Sequence, residues 1–152
     1  MKHLIFGIAA TFLTISLFAQ ELKVGEDGKY YKNGQLFTGT HIEKFDNGSQ
    51  ASERTFVKGF EQGVSTYYFE SGVKKEERSY DKGFKDGVWK TWNESGVKTA
   101  EAYYVKDLKD GNWFVYDDKG NKRYEMHYNK GKKTGTWYMW DENGKLISEK
   151  QF

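Results

Sequence analysis

Glycine returns every 24 residues along this chain without a slip, at positions 39, 63, 87, 111 and 135 and again at 48, 72, 96, 120 and 144. Such a period, kept over five copies, restricts the chain to a stack of like supersecondary units, none of which can bury an apolar face alone. A third series, Gly59, Gly83 and Gly131, keeps the same step, with Asp107 in the missing place. Other residues hold the register: Glu53, Glu77, Glu101, Glu125 and Glu149; Phe56, Tyr80, Tyr104, Tyr128 and Phe152; Lys58, Lys82, Lys106 and Lys130; and the acidic Asp46, Glu70, Glu94, Asp118 and Glu142. Trp89, Trp113 and Trp137 follow their glycines by two residues, with His41 and Ser65 in the earlier copies, and Trp92, Tyr116 and Trp140 come three residues later.

Each unit contains two Gly-bearing turns and no Pro, and the segments between them are rich in Tyr, Trp, Phe, Val and Thr, which fit a pleated surface better than a helix. The unit is therefore expected to be one β-hairpin, and the chain an all-β, elongated antiparallel sheet of stacked hairpins. Asp46-Asn47-Gly48, Glu70-Ser71-Gly72 and Glu142-Asn143-Gly144 supply turn chemistry, since Asn and Gly tolerate positive φ. The second connection, from Lys58 to Gly63 and its counterparts, reads as a longer turn. A symmetric loop there would set Tyr80 opposite Trp89, Tyr104 opposite Trp113 and Tyr128 opposite Trp137, each pair contributing about 0.2 to 1 kcal/mol. Residues 30–39 read as an atypical capping hairpin, preceded by a lead-in over 20–29; full repeats begin at 39, 63, 87, 111 and 135.

The run Gly87-Val88-Trp89-Lys90-Thr91-Trp92-Asn93-Glu94-Ser95-Gly96-Val97-Lys98, followed by Glu101, Tyr104 and Lys106, resembles the bacterial variant of the MORN repeat. The resemblance covers roughly Tyr30 to Phe152. It implies an elongated sheet of stacked hairpins used for binding or scaffolding, with no catalytic residues to carry over. Many bacterial members of that family are labelled antitoxin-like, so neutralisation of a partner toxin enters as a third expectation.

The N-terminus differs in composition. Met1-Lys2-His3 precedes an apolar run from Leu4 to Phe18, shorter than the roughly 20 residues of a membrane-spanning helix, and Ala19 is a small residue suited to cleavage. Residues 1–19 therefore read as a helical signal peptide and the protein as exported to the periplasm, cell surface or medium. An antitoxin against a cytosolic toxin should not be exported. No Cys exists to carry a lipid anchor.

A formal charge of +2, from 24 Lys plus Arg against 22 Asp plus Glu, provides no basic excess for nucleic acid and no strong membrane attraction once the signal is removed. His3, His41 and His127 are scattered and no Cys is present, so neither a metal nor a cofactor is expected. The Glu series reads as a structural ladder whose members pair with Arg54, Arg78 or loop lysines, because a bare row of like charges would repel. Acidic turns such as Asp117-Asp118-Lys119-Gly120-Asn121 lack the ligand spacing of a calcium loop. A hydrolase should leave a lone acid or base that breaks the repeat, and none is expected, so the chain is read as non-enzymatic.

The candidate interaction surface is aromatic: Trp92, Tyr116 and Trp140 on one side of the strands and Trp89, Trp113 and Trp137 on the other, because an offset of three residues reverses the face. One series is expected to pack internally and the other to be partly accessible. The expected function is a repeat scaffold holding another protein in the cell envelope or outside the cell. A carbohydrate or cell-wall binding module is the alternative, since Trp137, Trp140 and their hairpin also resemble glycan-binding repeats. Open sheet edges allow self-association.

Overall fold

The computed structural model describes residues 21–152; the signal segment expected over 1–19, the helix expected for it and the cleavage expected after Ala19 lie outside the described residues. Two short pieces precede the array. Strands β1 (Lys23–Val24), β2 (Tyr30–Lys32) and β3 (Gln35–Leu36) form a small antiparallel sheet. The lead-in thus contains a strand, with Lys23 paired to Tyr31 and Val24 to Tyr30.

The array is one long antiparallel sheet. It contains β4 (Gly39–Lys44), β5 (Gln50–Val57), β6 (Phe60–Glu61), β7 (Gly63–Tyr68), β8 (Lys74–Asp81), β9 (Phe84–Trp92) and β10 (Lys98–Val105). It continues through β11 (Leu108–Tyr116), β12 (Lys122–Asn129), β13 (Lys132–Trp140) and β14 (Leu146–Gln151). Neighbours in sequence are neighbours in the sheet, from β4 at one end to β14 at the other, with β6 pairing β5. No helix occurs among the described residues. The 24-residue unit is therefore a hairpin, as expected.

The second connection differs from the expected long turn. Val57 pairs with Phe60, Asp81 with Phe84, Val105 with Leu108 and Asn129 with Lys132, so only two residues lie between the strands. Both take positive φ: Lys58 49° and Gly59 80°, Lys82 50° and Gly83 83°, Lys130 47° and Gly131 84°. These are the values of a type I′ turn, whose twist suits a hairpin. Asp107 adopts φ 67° without a glycine, and its carboxylate accepts from the Lys85 N–H at 2.8 Å. Asp tolerates the left-handed region because its short side chain can bond locally.

The remaining residues of that connection are absorbed as a bulge. Two steps along β8, from Arg78 to Tyr80, are matched by four along β9, from Trp89 to Lys85. The same two-against-four count separates Glu101/Phe114 from Tyr103/Asp110 and Glu125/Tyr138 from His127/Thr134. Gly87, Gly111 and Gly135, all with positive φ, occupy the extra stretch. One glycine series thus serves the bulges and another the turns.

A sheet of single thickness has little interior. Phe56, with 0% of its surface exposed, is the one fully buried large hydrophobic residue among those described. It is covered by Tyr30 and Phe37, whose ring centres lie 4.6 and 5.6 Å away. Backbone bonds from Tyr30 N–H to the Gly59 carbonyl and from Gly59 N–H to the Phe37 carbonyl fasten the small sheet there. Added atoms on Gly59 would meet the Tyr30 carbonyl at 3.0 Å, so this turn must be glycine.

Candidate interaction site

The pairing register divides the side chains of β9–β14 between two faces. Arg78, Trp89 and Ala102 oppose one another across β8–β10, and Trp113 opposes Met126 and Trp137 opposes Lys150 further along. Trp92, paired with Lys98, and Tyr116, paired with Lys122, lie on the other face together with Glu101, Phe114 and Glu125. Both ring series are half-buried and neither face is covered by a second layer.

On the first face the rings form an unbroken row. Successive centroids from Tyr80 through Trp89, Tyr104, Trp113, Tyr128 and Trp137 to Phe152 are 4.6 to 5.7 Å apart, with interplanar angles of 49 to 64°. Tilted contacts of this kind satisfy the ring quadrupoles and add to simple burial. Tyr80 does not stand opposite Trp89, however. The bulge sets Trp89 opposite Arg78 and Tyr80 opposite Lys85, so the rings meet diagonally. Trp113 and Trp137 are displaced in the same manner. The shift also brings each indole N–H to a backbone carbonyl: Trp89 to Ser79 at 3.1 Å, Trp113 to Tyr103 at 3.0 Å and Trp137 to His127 at 3.1 Å. Each indole is therefore held at both its apolar body and its polar edge.

Lysines lie across this row. The Lys85 ammonium is 4.8 Å from the Trp89 ring centre and 5.3 Å from Tyr104. Lys109 stands 4.3 and 5.0 Å from Trp113 and Tyr128, and Lys133 stands 4.5 and 4.9 Å from Trp137 and Phe152. Ammonium groups over aromatic faces are attracted by the ring quadrupole. Among the described residues, none of these three lysines, nor Lys150, is within ion-pair distance of a carboxylate. The register places no Asp or Glu of β9–β14 on this face.

The opposite face is self-neutralised. Glu77, Glu101 and Glu125 each accept from the lysine three residues earlier, Lys74, Lys98 and Lys122, and Glu53 accepts from Gln50. Those lysines also lie over Trp92 at 5.4 Å, Tyr116 at 5.0 Å and Trp140 at 4.7 Å. Glu101 holds the Lys98 ammonium above the ordinary lysine range through their hydrogen bond. The Glu series is thus a structural ladder, but its partners are not Arg54 and Arg78, which bond Glu43 and Glu76 instead. An i to i−3 pair becomes possible because the strand start is irregular, with a register shift between Lys98 and Ala100.

The acidic turns are used for backbone capping. The Asp117 carboxylate accepts from the N–H groups of Lys119 and Asn121, which hold it below the usual carboxylate range, the Asn121 N–H most strongly. Asp141 accepts from Asn143 and Lys145 in the same way. No group of three or more His, Asp or Glu is placed to hold a metal among the described residues.

One carboxylate does break the repeat, contrary to expectation. Glu61 occupies the place of Lys85, Lys109 and Lys133, and Ser65 occupies the place of the tryptophans. Both are buried, and the Ser65 hydroxyl donates to Glu61 Oε1 at 3.0 Å. Burial raises the Glu61 carboxyl above its ordinary range, while Ser65, Arg54 and Arg78 oppose the rise. Burial likewise raises the Tyr67 and Tyr80 phenols nearby, the latter to about 12. The signal was readable: a Lys→Glu change beside a Trp→Ser change at one 24-residue step. This cluster fills with polar groups the space an indole occupies in later copies.

The family whose model describes the MORN repeat variant matches residues 61–82, 85–106, 109–130 and 133–152, more than half of the chain. The chain belongs to the MORN repeat variant family. Each MORN unit in this frame begins at Glu61, Lys85, Lys109 or Lys133, so the ring-capping lysine opens three of the four units. The hairpin of β4 and β5 and the small N-terminal sheet lie outside the MORN match and form its cap. No curated protein matches the chain.

Proposed function

We propose that the chain is a non-enzymatic MORN repeat scaffold, exported from the cytoplasm, that holds another protein against the Trp89–Trp113–Trp137 face of its sheet. One observation carries this reading: across β9–β14 that face presents a row of aromatic rings and of lysines without carboxylate partners among the described residues, and no acid of those strands, whereas the opposite face neutralises its own charges. Half-exposed contiguous aromatic surface on a rigid element suits recognition. Rings that tilt against one another and carry an ammonium above them offer few flat platforms for sugar stacking, which favours a protein over a glycan.

The test begins with fractionation of cells making the full chain and intact-mass measurement of its N-terminus. A mature chain starting at Gln20 outside the cytoplasm is expected; an uncleaved cytoplasmic chain would redirect the search to a cytosolic partner such as a toxin. Cross-linking in intact cells then compares wild type with a K85E/K109E/K133E variant. Loss of a specific cross-linked partner in the variant is expected. Identical cross-links from both proteins would refute the assignment of the face, and wall-polysaccharide binding lost in Trp92→Ala plus Trp140→Ala would favour the glycan alternative.

A further inference from the structure

The lysine row has a spacing that selects among peptide conformations. Lys85, Lys109 and Lys133 sit on every second strand, so neighbours are separated by two strand intervals, roughly 9.4 to 9.8 Å. A polyproline II helix rises about 3.1 Å per residue with three residues per turn, so residues three apart share a side and lie about 9.3 Å from each other. A β-strand cannot follow this row with the same period, because residues three apart point to opposite sides. An α-helix returns to one side after seven residues, about 10.5 Å, and drifts out of step faster over three lysines.

We infer that this face docks a polyproline II segment bearing an acidic side chain at every third residue, laid across the strands so that successive acids meet Lys85, Lys109 and Lys133. The inference rests on the proposed use of this face for protein binding and names the partner's chemistry. Three observations support it. The lysines lack carboxylate partners among the described residues, so the charge is unspent. The register leaves no acid on this side of β9–β14 to repel the ligand. The tilted rings provide the aromatic-lined relief on which polyproline II segments dock, where their stiffness limits the entropy lost on binding.

The experiment titrates the full processed chain with a blocked (Pro-Pro-Glu)5 peptide, read by tryptophan fluorescence and calorimetry. Controls are a peptide of equal composition with its glutamates in one block, and a helical peptide with Glu at every seventh residue. Binding of the periodic peptide is expected to be at least tenfold tighter than that of either control, to weaken with salt, and to fall at least tenfold in K85Q/K109Q/K133Q. The variant K85R/K109R/K133R should retain binding, and K74Q/K98Q/K122Q on the other face should change it less than twofold. Circular dichroism confirms that each variant keeps its sheet. Equal binding of the block peptide, tighter binding of the helical one, or no binding of the periodic peptide overturns the inference. If the periodic peptide fails while K85E/K109E/K133E still abolishes the cellular cross-link, the protein-binding reading stands and only the polyproline II assignment falls.

Discussion

Strands β4–β8 and strands β9–β14 share one register but are filled differently. In the later copies Trp89, Trp113 and Trp137 face small or flexible neighbours, Ala102 and Met126, and the rings support one another sideways. In the earlier copies His41 and Ser65 stand in the tryptophan place, and the opposed residues are Arg54 and Arg78. Their guanidinium groups cover Tyr30 and Phe56, or Tyr67 and Trp89. Volume is exchanged between adjacent strands while the backbone period stays fixed, consistent with the tolerance of cores for compensated substitutions. The early region has the buried residues, Phe56, Ser52, Ser65 and Glu61, and a cap; the late region has no fully buried side chain and depends on repetition. Arg54 illustrates the strain of the early solution, since its Nε is buried without a partner.

The largest effect should come from breaking the capped end. Phe56→Ala is expected to cost roughly 3 to 5 kcal/mol, as for other buried aromatic truncations, in urea unfolding. Hydrogen exchange should show the loss of protection concentrated in β2–β8, since a repeat array unfolds through its neighbours. Equal loss in β11–β13 would erase the distinction between the regions. Trp113→Ala removes the middle ring of the late row and should cost about 2 to 3 kcal/mol, below the fully buried range because the indole is half-exposed. Loss of the signal for ring packing in near-ultraviolet circular dichroism would accompany it.

A smaller effect sharpens the chemical contrast. Glu61 is an acid whose folded pKa lies above its unfolded value near 4.5, so the folded state holds the proton more tightly and its contribution to stability falls as pH rises through that window. Glu61→Gln should therefore raise the urea midpoint at pH 7, and the gain should vanish below pH 4. A gain that persists at low pH would show that charge burial is not its cause. Tyr80 follows the same sign at alkaline pH: its phenol contributes below pH 10 and that contribution is lost between 10 and about 12. The smallest change is Lys98→Gln, which breaks a solvent-accessible ladder pair and should cost about 0.2 to 1 kcal/mol, less in high salt.

Much of this was legible without coordinates. Period 24, strand-forming segments and turn residues required stacked hairpins, and the three-residue offset between Trp89 and Trp92 set them on opposite faces. The cross-strand partners were not legible. The pairing of Tyr80 with Trp89 assumed a symmetric loop, while Lys82 and Gly83 close a two-residue turn and the surplus length becomes a bulge at Gly87. A glycine pattern marks where positive φ is needed without saying whether it makes a turn or a bulge. Glu61 was visible as a departure from Lys, and its meaning depended on knowing that Ser65 lies beside it.

The sequence by itself determined the repeating hairpin, the strand order and the division of rings between faces, because those follow from local backbone preference and the two-residue alternation of a strand. The tertiary structure decided which lysines are paired and which stand free. Charge pairing depends on Å-scale distances between side chains, and a one-residue shift beside Lys98 is enough to give it a carboxylate, while the two-residue bulge at Gly111 leaves Lys109 over an indole.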